Sequence, residues 1–338
     1  MALQTSGRID LSDVNVELGN SASAYITLGS TAVRDLFGVA SGAISLSDGY
    51  GASTAARYGN RGVFGGGNTA QDTIEYVSIA TTGNASSFGY LSVSRQFLAA
   101  TSNGVRGVFG GGYATYNTMD YITISATGNA TDFGDLSSGR YGPHACSDGT
   151  RGIFAGGQEP SAASAVVDYI TIASTGNASN WGNLYAAKVL GGAVSSDTRG
   201  VFAAGAPYTA ASSYITIASS GTGSNFGNLT QTRAYVVGVS NDTRGVFAAG
   251  YYNGPVYNIM DYITIATTGN ATDFGDLTGT NYGQGPASSG TRGVFAGGFR
   301  SGSYLSSIDY MTIATTGNAS NFGNLIGLKY TAGGCSGD

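Results

Sequence analysis

Charged side chains are scarce in this sequence of 338 residues, where aspartate, glutamate, lysine and arginine together make up 10%. The 15 basic and 20 acidic residues give a net charge of −5. This balance speaks against a nucleic-acid partner, which needs clustered lysine and arginine. The sequence has no apolar run of about 18 residues, so we expect no membrane-spanning helix. Nor does it begin with a basic stretch and an apolar core, so we expect no Sec-type signal peptide.

Histidine and cysteine are nearly absent, which restricts the chemistry that the chain can perform. His144 is the single histidine, and neither Cys146 nor Cys335 has a C-x-x-C partner. The sequence therefore speaks against a Cys/His metal site and offers no argument for a Ser-His-Asp triad. We expect no metal, no cofactor and no enzymatic activity. A carbohydrate-active enzyme is the less favoured alternative, because no repeat departs from the common pattern to create a catalytic carboxylate pair.

Glycine, by contrast, is abundant, and it occurs within a sixfold repeat. The sequence has 56 glycines, and its 41% hydrophobic and 11% aromatic content argues against disorder. A tetrad R-G-V/I-F occurs six times and is followed each time by a run of glycine and alanine. The tetrad arginines are spaced by 45 or 48 residues: Arg61, Arg106, Arg151, Arg199, Arg244 and Arg292.

Three more positions recur at fixed distances within each repeat. A tyrosine opens an alternating run such as DYITIA, with an acid before it in five repeats: Glu75, Asp120, Asp168, Asp261 and Asp309. An aromatic residue follows 12 residues after the tyrosine: Phe88, Phe133, Trp181, Phe226, Phe274 and Phe322. Seven residues further lies a slot that is basic in five repeats: Arg95, Arg140, Lys188, Arg233, Asn281 and Lys329. Each repeat therefore predicts four short strands, A to D, and a repeat of this length with four strands is a propeller blade.

The repeat resembles the kelch motif, in which a basic residue precedes an apolar strand, a diglycine, a tyrosine and then a tryptophan. Here Gly111-Gly112 is one of four intact diglycines, and the tryptophan slot holds Trp181 once and phenylalanine five times. The resemblance implies an all-β, six-bladed kelch-like β-propeller over residues 54–338. It implies a fold but no particular function.

The C-terminal sequence indicates how the ring closes. The chain ends where the next tetrad would begin, so we expect a strand at about 327–336 to supply strand A of the first blade. Every change in repeat length falls between strands B and C. Alternation of strands places these variable B–C loops and the D–A loops on one face. The A–B and C–D turns lie on the other face, where the N-terminal segment would enter.

Residues 1–53 differ from the repeats and form a small N-terminal anchoring segment in our interpretation. They carry S-G-x-I-x-L-S-D twice, at 6–13 and 41–48. This segment resembles the leader of tailed-phage virion proteins, including tail fibres. The resemblance implies docking to other virion proteins or trimerisation, and a location on the exterior of the tail or capsid. The alternative is a small β-hairpin packed on the propeller.

The B–C loops are rich in aromatic residues set among asparagine, serine and glycine, which suits recognition of a host-surface glycan or protein. The resulting hypothesis is a phage structural protein that displays a propeller for host attachment. A purely architectural role in capsid or tail decoration stays open, because the rings could instead cover loop ends or a neighbouring subunit. The candidate binding residues are Tyr113, Tyr116, Tyr208, Tyr251, Tyr252, Tyr257, Phe299, Arg300 and Tyr304.

The repeated polar positions are interpreted as structural. For the arginines we favour hydrogen bonds to blade backbone over an anion-binding channel, and for the acids a hairpin-capping role over metal binding. The sequence N-A-S/T occurs at Asn84, Asn129, Asn177, Asn270 and Asn318 and matches a glycosylation signal. In the absence of a secretion signal, turn formation explains these asparagines better.

Overall fold

The structure, a computed structural model, describes residues 58–68 and 71–338, together with Val14, Leu18 and Val33. The predictions for the N-terminal anchoring segment 1–53 lie outside the described residues. Over 58–68 and 71–338 the chain contains strands and turns without a helix, which confirms the all-β class. Arg57–Asp338 is one compact unit.

The first three blades use eleven strands. Blade one has β1 (Arg61–Gly65), β2 (Thr73–Ser78) and β3 (Ser86–Tyr90) as strands B to D. Blade two consists of β4 (Ala99–Ser102), β5 (Arg106–Gly110), β6 (Thr118–Thr123) and β7 (Thr131–Asp135). Blade three consists of β8 (His144–Ser147), β9 (Arg151–Ala155), β10 (Val166–Thr171) and β11 (Ser179–Asn183). Neighbouring strands within each blade pair antiparallel.

The last three blades follow the same order. Blade four has β12 (Gly192–Ser195), β13 (Arg199–Ala203), β14 (Thr209–Thr216) and β16 (Ser224–Arg233), and the short β15 (Gly221–Thr222) pairs with β11. Blade five has β17 (Val237–Ser240), β18 (Arg244–Ala248), β19 (Ile259–Thr264) and β20 (Thr272–Asp276). Blade six has β21 (Gly285–Ser288), β22 (Arg292–Ala296), β23 (Phe299–Arg300), β24 (Ser303–Thr312) and β25 (Ser320–Lys329).

The C-terminal strand β26 (Gly333–Gly337) pairs antiparallel with β1 and serves as strand A of blade one. The four-stranded order β26-β1-β2-β3 joins the two ends of the propeller. The limits differ from the predicted range of about 327–336, because residues up to Lys329 extend strand D of blade six. The chain thus forms a six-bladed β-propeller, as predicted.

The core consists of six apolar clusters, each shared by two neighbouring blades. Between blades one and two, for example, Val63 and Phe88 of the first blade pack with Phe109 and Ile122 of the second. The B strands are buried on both faces because they lie centrally within their sheets. A buried phenylalanine contributes about 1.5–3 kcal/mol, so no blade could bury its apolar faces without its neighbours.

A ring of serine hydroxyls closes around the axis at the end of the A strands, on the face of the A–B turns. Each serine Oγ donates to the carbonyl oxygen of the equivalent serine in the preceding blade, at 2.6–3.1 Å. The six members are Ser102, Ser147, Ser195, Ser240, Ser288 and Ser336. Above this ring the A strands line a central cavity of about 190 Å³.

A second ring, made of backbone, surrounds the other end of the cavity where the D–A loops meet. The N–H of each member donates to the carbonyl oxygen of the member in the preceding loop, at 2.5–3.3 Å. All six residues have φ between 57° and 69°, although four of them are not glycine. That conformation costs roughly 1–2 kcal/mol for an L-residue, and the closed ring of hydrogen bonds offsets it. The members are Phe97, Gly142, Leu190, Tyr235, Gly283 and Thr331.

The outer rim is held by asparagines of the C–D turns. In five blades the asparagine of the C–D turn accepts, through Oδ1, a backbone N–H from strand D of the preceding blade. The N-A-S/T asparagines therefore connect blades in addition to shaping turns. Blade four has Thr222 at the equivalent position, and there β15 pairs with β11 instead.

Candidate functional site

One face of the propeller is built from two concentric sets of loops. Each D–A loop lies beside the B–C loop of the blade that it enters, and five of these six loop pairs are joined by an antiparallel bridge. The sixth is joined by the Tyr330 N–H, which donates to Asn68 Oδ1 at 3.0 Å. The D–A loops thus surround the axis, and the B–C loops, including every segment of variable length, form the outer set.

Eleven aromatic residues of these loops form one continuous network of ring contacts, which we call the aromatic face. Its ring centroids are separated by 5.2–6.4 Å, and the arrangement is mostly tilted or T-shaped, as aromatic quadrupoles favour. Five members come from D–A loops: Phe97, Tyr141, Tyr235, Tyr282 and Tyr330. Six come from B–C loops: Tyr113, Tyr208, Tyr251, Tyr252, Phe299 and Tyr304.

The centre of the aromatic face covers the mouth of the axial cavity. Phe97 and Tyr235 enter from loops on opposite sides of the ring, yet their ring centroids lie 6.4 Å apart. Tyr330 contacts both, at 5.8 and 6.2 Å. The αL backbone of the inner loops allows Phe97 and Tyr235 to meet across the axis.

The rim of the aromatic face is exposed to solvent. Tyr113 is 52% exposed, Tyr208 38% and Tyr252 36%. The ring of Tyr208 meets that of Tyr252 edge-on at 5.2 Å, so the two form a corner rather than a flat stack. Exposed rings held by packed neighbours offer contact area without a large further loss of side-chain entropy on binding.

The aromatic face carries little charge. Among the residues of the six B–C loops, the charged ones are Asp72, Glu159 and Arg300. Burial raises the pKa of the phenol groups of Tyr235, Tyr282 and Tyr330, so these groups stay protonated at neutral pH. The face can therefore stack on a ligand and exchange hydrogen bonds with it, but it has little capacity to attract a strongly charged one.

The face is not uniform around the ring. The B–C loops of blades one and three have no aromatic residue, and the D–A loop between blades three and four contributes Val189 and Leu190. Near this gap Ser138 Oγ donates to Glu159 Oε1 at 2.9 Å. The B–C loops therefore contribute aromatic rings from blades two, four, five and six.

Six of the nine candidate residues predicted from the sequence belong to the aromatic face. The other three are Tyr116, Tyr257 and Arg300. Tyr116 is exposed and Tyr257 is half-buried, and their carbonyl oxygens accept hydrogen bonds from the N–H groups of slot residues. Arg300 is exposed at the tip of β23.

The sequence analysis missed the five aromatic residues of the D–A loops. They follow the basic slot by one residue at Tyr141, Tyr282 and Tyr330, but by two at Phe97 and Tyr235. When the six repeats are aligned, no single position after the slot is aromatic in all of them. The available signal was that an aromatic residue occurs within two positions of the slot in five of the six loops.

A layer of buried charge beneath the aromatic face holds its loops in place. The slot arginine of one blade forms an ion pair with the acid of the next, with nitrogen–oxygen distances of 2.6–2.8 Å at three boundaries. Both partners are fully buried in each of these pairs. Lys329 and Glu75 form the equivalent, longer contact of 3.7 Å between blades six and one. The acids therefore connect neighbouring blades, a geometry that differs from the predicted capping of a single hairpin.

At the boundary of blades five and six the slot lacks a base. Asn281 Nδ2 donates to the carbonyl oxygen of Gly297 at 2.8 Å. The carboxylate of Asp309 accepts hydrogen bonds from the N–H and Oγ1 of Thr278, and burial raises the pKa of Asp309.

The tetrad arginines lie in the other half of each blade and have backbone partners. Their Nη1 atoms donate to carbonyl oxygens just after strand C of the following blade, as Arg61 does to Ile124 at 2.8 Å. Each guanidinium also lies 4.3–5.4 Å from the ring centroid of its own blade's tyrosine. These contacts around the ring assign the tetrad arginines a structural role.

The repeated aromatic residues of strand D are core residues. The five phenylalanines and Trp181 are buried, and Trp181 Nε1 donates to the carbonyl oxygen of Ile217 in the next blade at 3.1 Å. The rings of five strand C tyrosines contact the phenylalanine of their own blade edge-on, with centroid distances of 5.9–6.1 Å.

The part of the chain that the structure describes was also compared with the requirements of a metal site, a reactive thiol and a membrane-spanning helix. That part contains no group of three or more histidine, cysteine or acidic residues placed to hold a metal ion. Cys146 and Cys335 are buried cysteines that form no disulfide, and burial raises the pKa of Cys335 to about 12. Nor do the described residues include a helix that is long and apolar enough to cross a membrane.

The fold defines the class of the protein, a six-bladed β-propeller with an aromatic face over its axis. A scan against protein-family models and a search of curated proteins found no match.

Proposed function

We propose that this protein is a non-catalytic virion structural protein of a tailed phage, similar to a tail fibre or adhesin, whose propeller attaches to the host surface. It would lie on the exterior of the tail or capsid. The observation that carries the proposal is the aromatic face, since a packed set of rings that exposes three tyrosines at one end of the propeller is suited to recognition.

The low charge of the face indicates the kind of receptor. An uncharged glycan offers C–H faces that stack on tyrosine rings and hydroxyls that bond to phenol groups, and a neutral protein surface offers comparable contacts. An anionic receptor would be repelled by the net charge of −5, because the slot cations beneath the face are buried. We therefore expect a neutral host-surface glycan or protein as the partner.

The N-terminal segment supplies the second half of the proposal. Its resemblance to phage leaders suggests docking to other virion proteins and assembly into a homo-oligomer, for example a trimer. In the predicted topology the chain enters the propeller on the face opposite the aromatic face. Anchoring there would leave the aromatic face directed outward.

The test is binding of the purified protein to host cells, with two variants that each remove three exposed side chains. The first replaces Tyr113, Tyr208 and Tyr252 by serine. The control replaces the exposed Val105, Tyr185 and Ile326, which lie outside the aromatic face, by serine. We expect the first variant to lose at least tenfold in affinity and the control to bind like wild type. Equal binding by all three proteins would contradict the proposal.

A purely architectural role is the second candidate, and one observation favours it. Much of the aromatic surface is used in ring-to-ring contacts that cover the axial cavity, as the contacts of Tyr330 show. In that role the aromatic face would be buried against a neighbouring virion subunit. Binding to intact particles but not to host cells would favour it.

A further inference from the structure

At one of the six blade boundaries the slot residue faces a blade that has no carboxylate at the acid position. At three boundaries the slot arginine pairs with an aspartate of the next blade. The aspartate carboxylate also accepts a hydrogen bond from a hydroxyl of the preceding blade. In the pair of Arg140 and Asp168, for example, the hydroxyl comes from Ser137 at 2.7 Å. The arginine and the hydroxyl thus both donate hydrogen bonds to the aspartate carboxylate.

The boundary between blades three and four has Lys188 in place of the arginine and Ser213 in place of the aspartate. Lys188 Nζ donates to the carbonyl oxygen of Ala211, which is equivalent to the Thr118 oxygen that Arg95 Nη1 contacts at 2.7 Å. The ammonium thus takes the place of one guanidinium nitrogen. At the three arginine–aspartate boundaries the second guanidinium nitrogen and the carboxylate fill a position that has no side-chain equivalent here.

The polar groups that face this position are buried and lack an anionic partner. Lys188 is 3% exposed and Ser213 is 1% exposed. Ser213 Oγ makes no hydrogen bond, and within the described part of the chain Lys188 forms no ion pair. The other titratable group nearby is His144, which burial keeps neutral by lowering its pKa to about 3. A buried cation of this kind is costly unless an anion compensates it.

We infer that this boundary is a binding site for a small monovalent anion, such as chloride, held by Lys188 Nζ and Ser213 Oγ. The ammonium has three donors and the Ala211 carbonyl uses one of them, which leaves two for the anion. The serine hydroxyl adds a further donor. Lys188 and Ser213 are both shorter than the arginine and aspartate at the equivalent positions. A compact ion therefore suits this position better than an organic anion.

The probe is chloride itself, added to the full-length protein at constant ionic strength with gluconate as the bulky replacement anion. Thermal unfolding of wild type should show a saturable rise in Tm of about 2 °C or more as chloride replaces gluconate. The Lys188→Met variant removes the cation and should lose this response. The Ser213→Asp variant restores the carboxylate, so it should show a higher Tm in gluconate and no response to chloride.

Two outcomes would overturn the inference. One is an equal Tm of wild type in chloride and gluconate, which would mean that water alone serves these groups. The other is a chloride response that persists in Ser213→Asp. Should Lys188→Met fail to fold, bromide anomalous scattering from wild-type crystals provides a separate test. A bromide peak between Lys188 Nζ and Ser213 Oγ supports the site, and its absence at saturating bromide refutes it.

Discussion

The contact between neighbouring blades at the outer rim permits a sharp test with Gly89→Ala. Gly89 follows Phe88 in β3 and lies against the C–D turn of blade two. A Cβ at this position would lie less than 3 Å from the carbonyl oxygen and carbon of Gly128, closer than real Cβ atoms come. The φ of Gly89 lies outside the left-handed range that strains an L-residue, so the substitution creates a steric overlap without backbone strain.

The loss of stability in Gly89→Ala depends on which part of the structure must move to accommodate the new methyl group. The backbone of blade two cannot rotate away as a flexible side chain could, so relief requires the blades to separate by about 1 Å, a shift of the kind that costs roughly 1–3 kcal/mol in an overpacked interior. Separation also weakens the hydrogen bond from the Gly128 N–H to the Phe88 carbonyl oxygen, now 2.9 Å long. That loss adds about 1 kcal/mol. We expect Gly89→Ala to lower the free energy of unfolding by roughly 2–4 kcal/mol.

Gly128→Ala is the matched control, because it alters the other side of the same contact. A Cβ on Gly128 meets nothing within 4 Å, and the φ of Gly128 lies outside the left-handed range that strains an L-residue. We expect a change within about 0.5 kcal/mol, or a slight stabilisation through the unfolded state. Urea unfolding followed by tryptophan and tyrosine fluorescence compares the two variants. Similar stability of both variants would refute the account of blade packing.

The remaining predictions concern the buried polar groups. Arg140→Met should destabilise the protein by about 3–5 kcal/mol in urea unfolding, because it leaves the carboxylate of Asp168 buried without its cation, and a loss below 1 kcal/mol would contradict this. Ser240→Ala should cost about 0.5–1.5 kcal/mol by opening the serine ring, whereas an unchanged midpoint would show that the ring is dispensable. Burial lowers the pKa of Lys188 from 10.5 to about 8, so its charged form is penalised in the folded state and the penalty is relieved as pH rises above 8. In chloride-free urea titrations, wild type should therefore gain about 2 kcal/mol relative to Lys188→Met between pH 7 and pH 10, and a constant difference would rule this out.

The sequence predicted the fold because spacing in a repeat protein carries the architecture. The fixed distance from Tyr76 to Phe88, found again in every repeat, reflects a C–D hairpin of constant length. The insertions fall in B–C loops because those loops lie at one face, outside the sheet ladders. The closing strand was predicted too early in the chain, since its partner β1 spans only five residues while strand D of blade six extends to Lys329.

The aromatic face was only half predictable. The B–C loops contain obvious tyrosines such as Tyr252, but the inner rings come from D–A loops, where the repeat pattern assigns the residues to the start of strand A. That Phe97 and Tyr235 meet depends on their positive φ, which composition does not reveal for a bulky residue. Similarly, the sequence analysis assigned the slot bases to backbone hydrogen bonds and the acids to hairpin capping, without pairing them. Their pairing crosses a blade boundary, and mismatches such as Lys188 with Ser213 hide it in the sequence.

The most direct test of the proposed attachment role is a cryo-EM map of this protein in an assembled phage particle. The orientation of the propeller distinguishes display from decoration, because Tyr113, Tyr208 and Tyr252 mark a single face. We predict that this face points away from the particle and is free of contact with other virion subunits. A map in which these tyrosines are buried against a neighbouring subunit would contradict the host-attachment role.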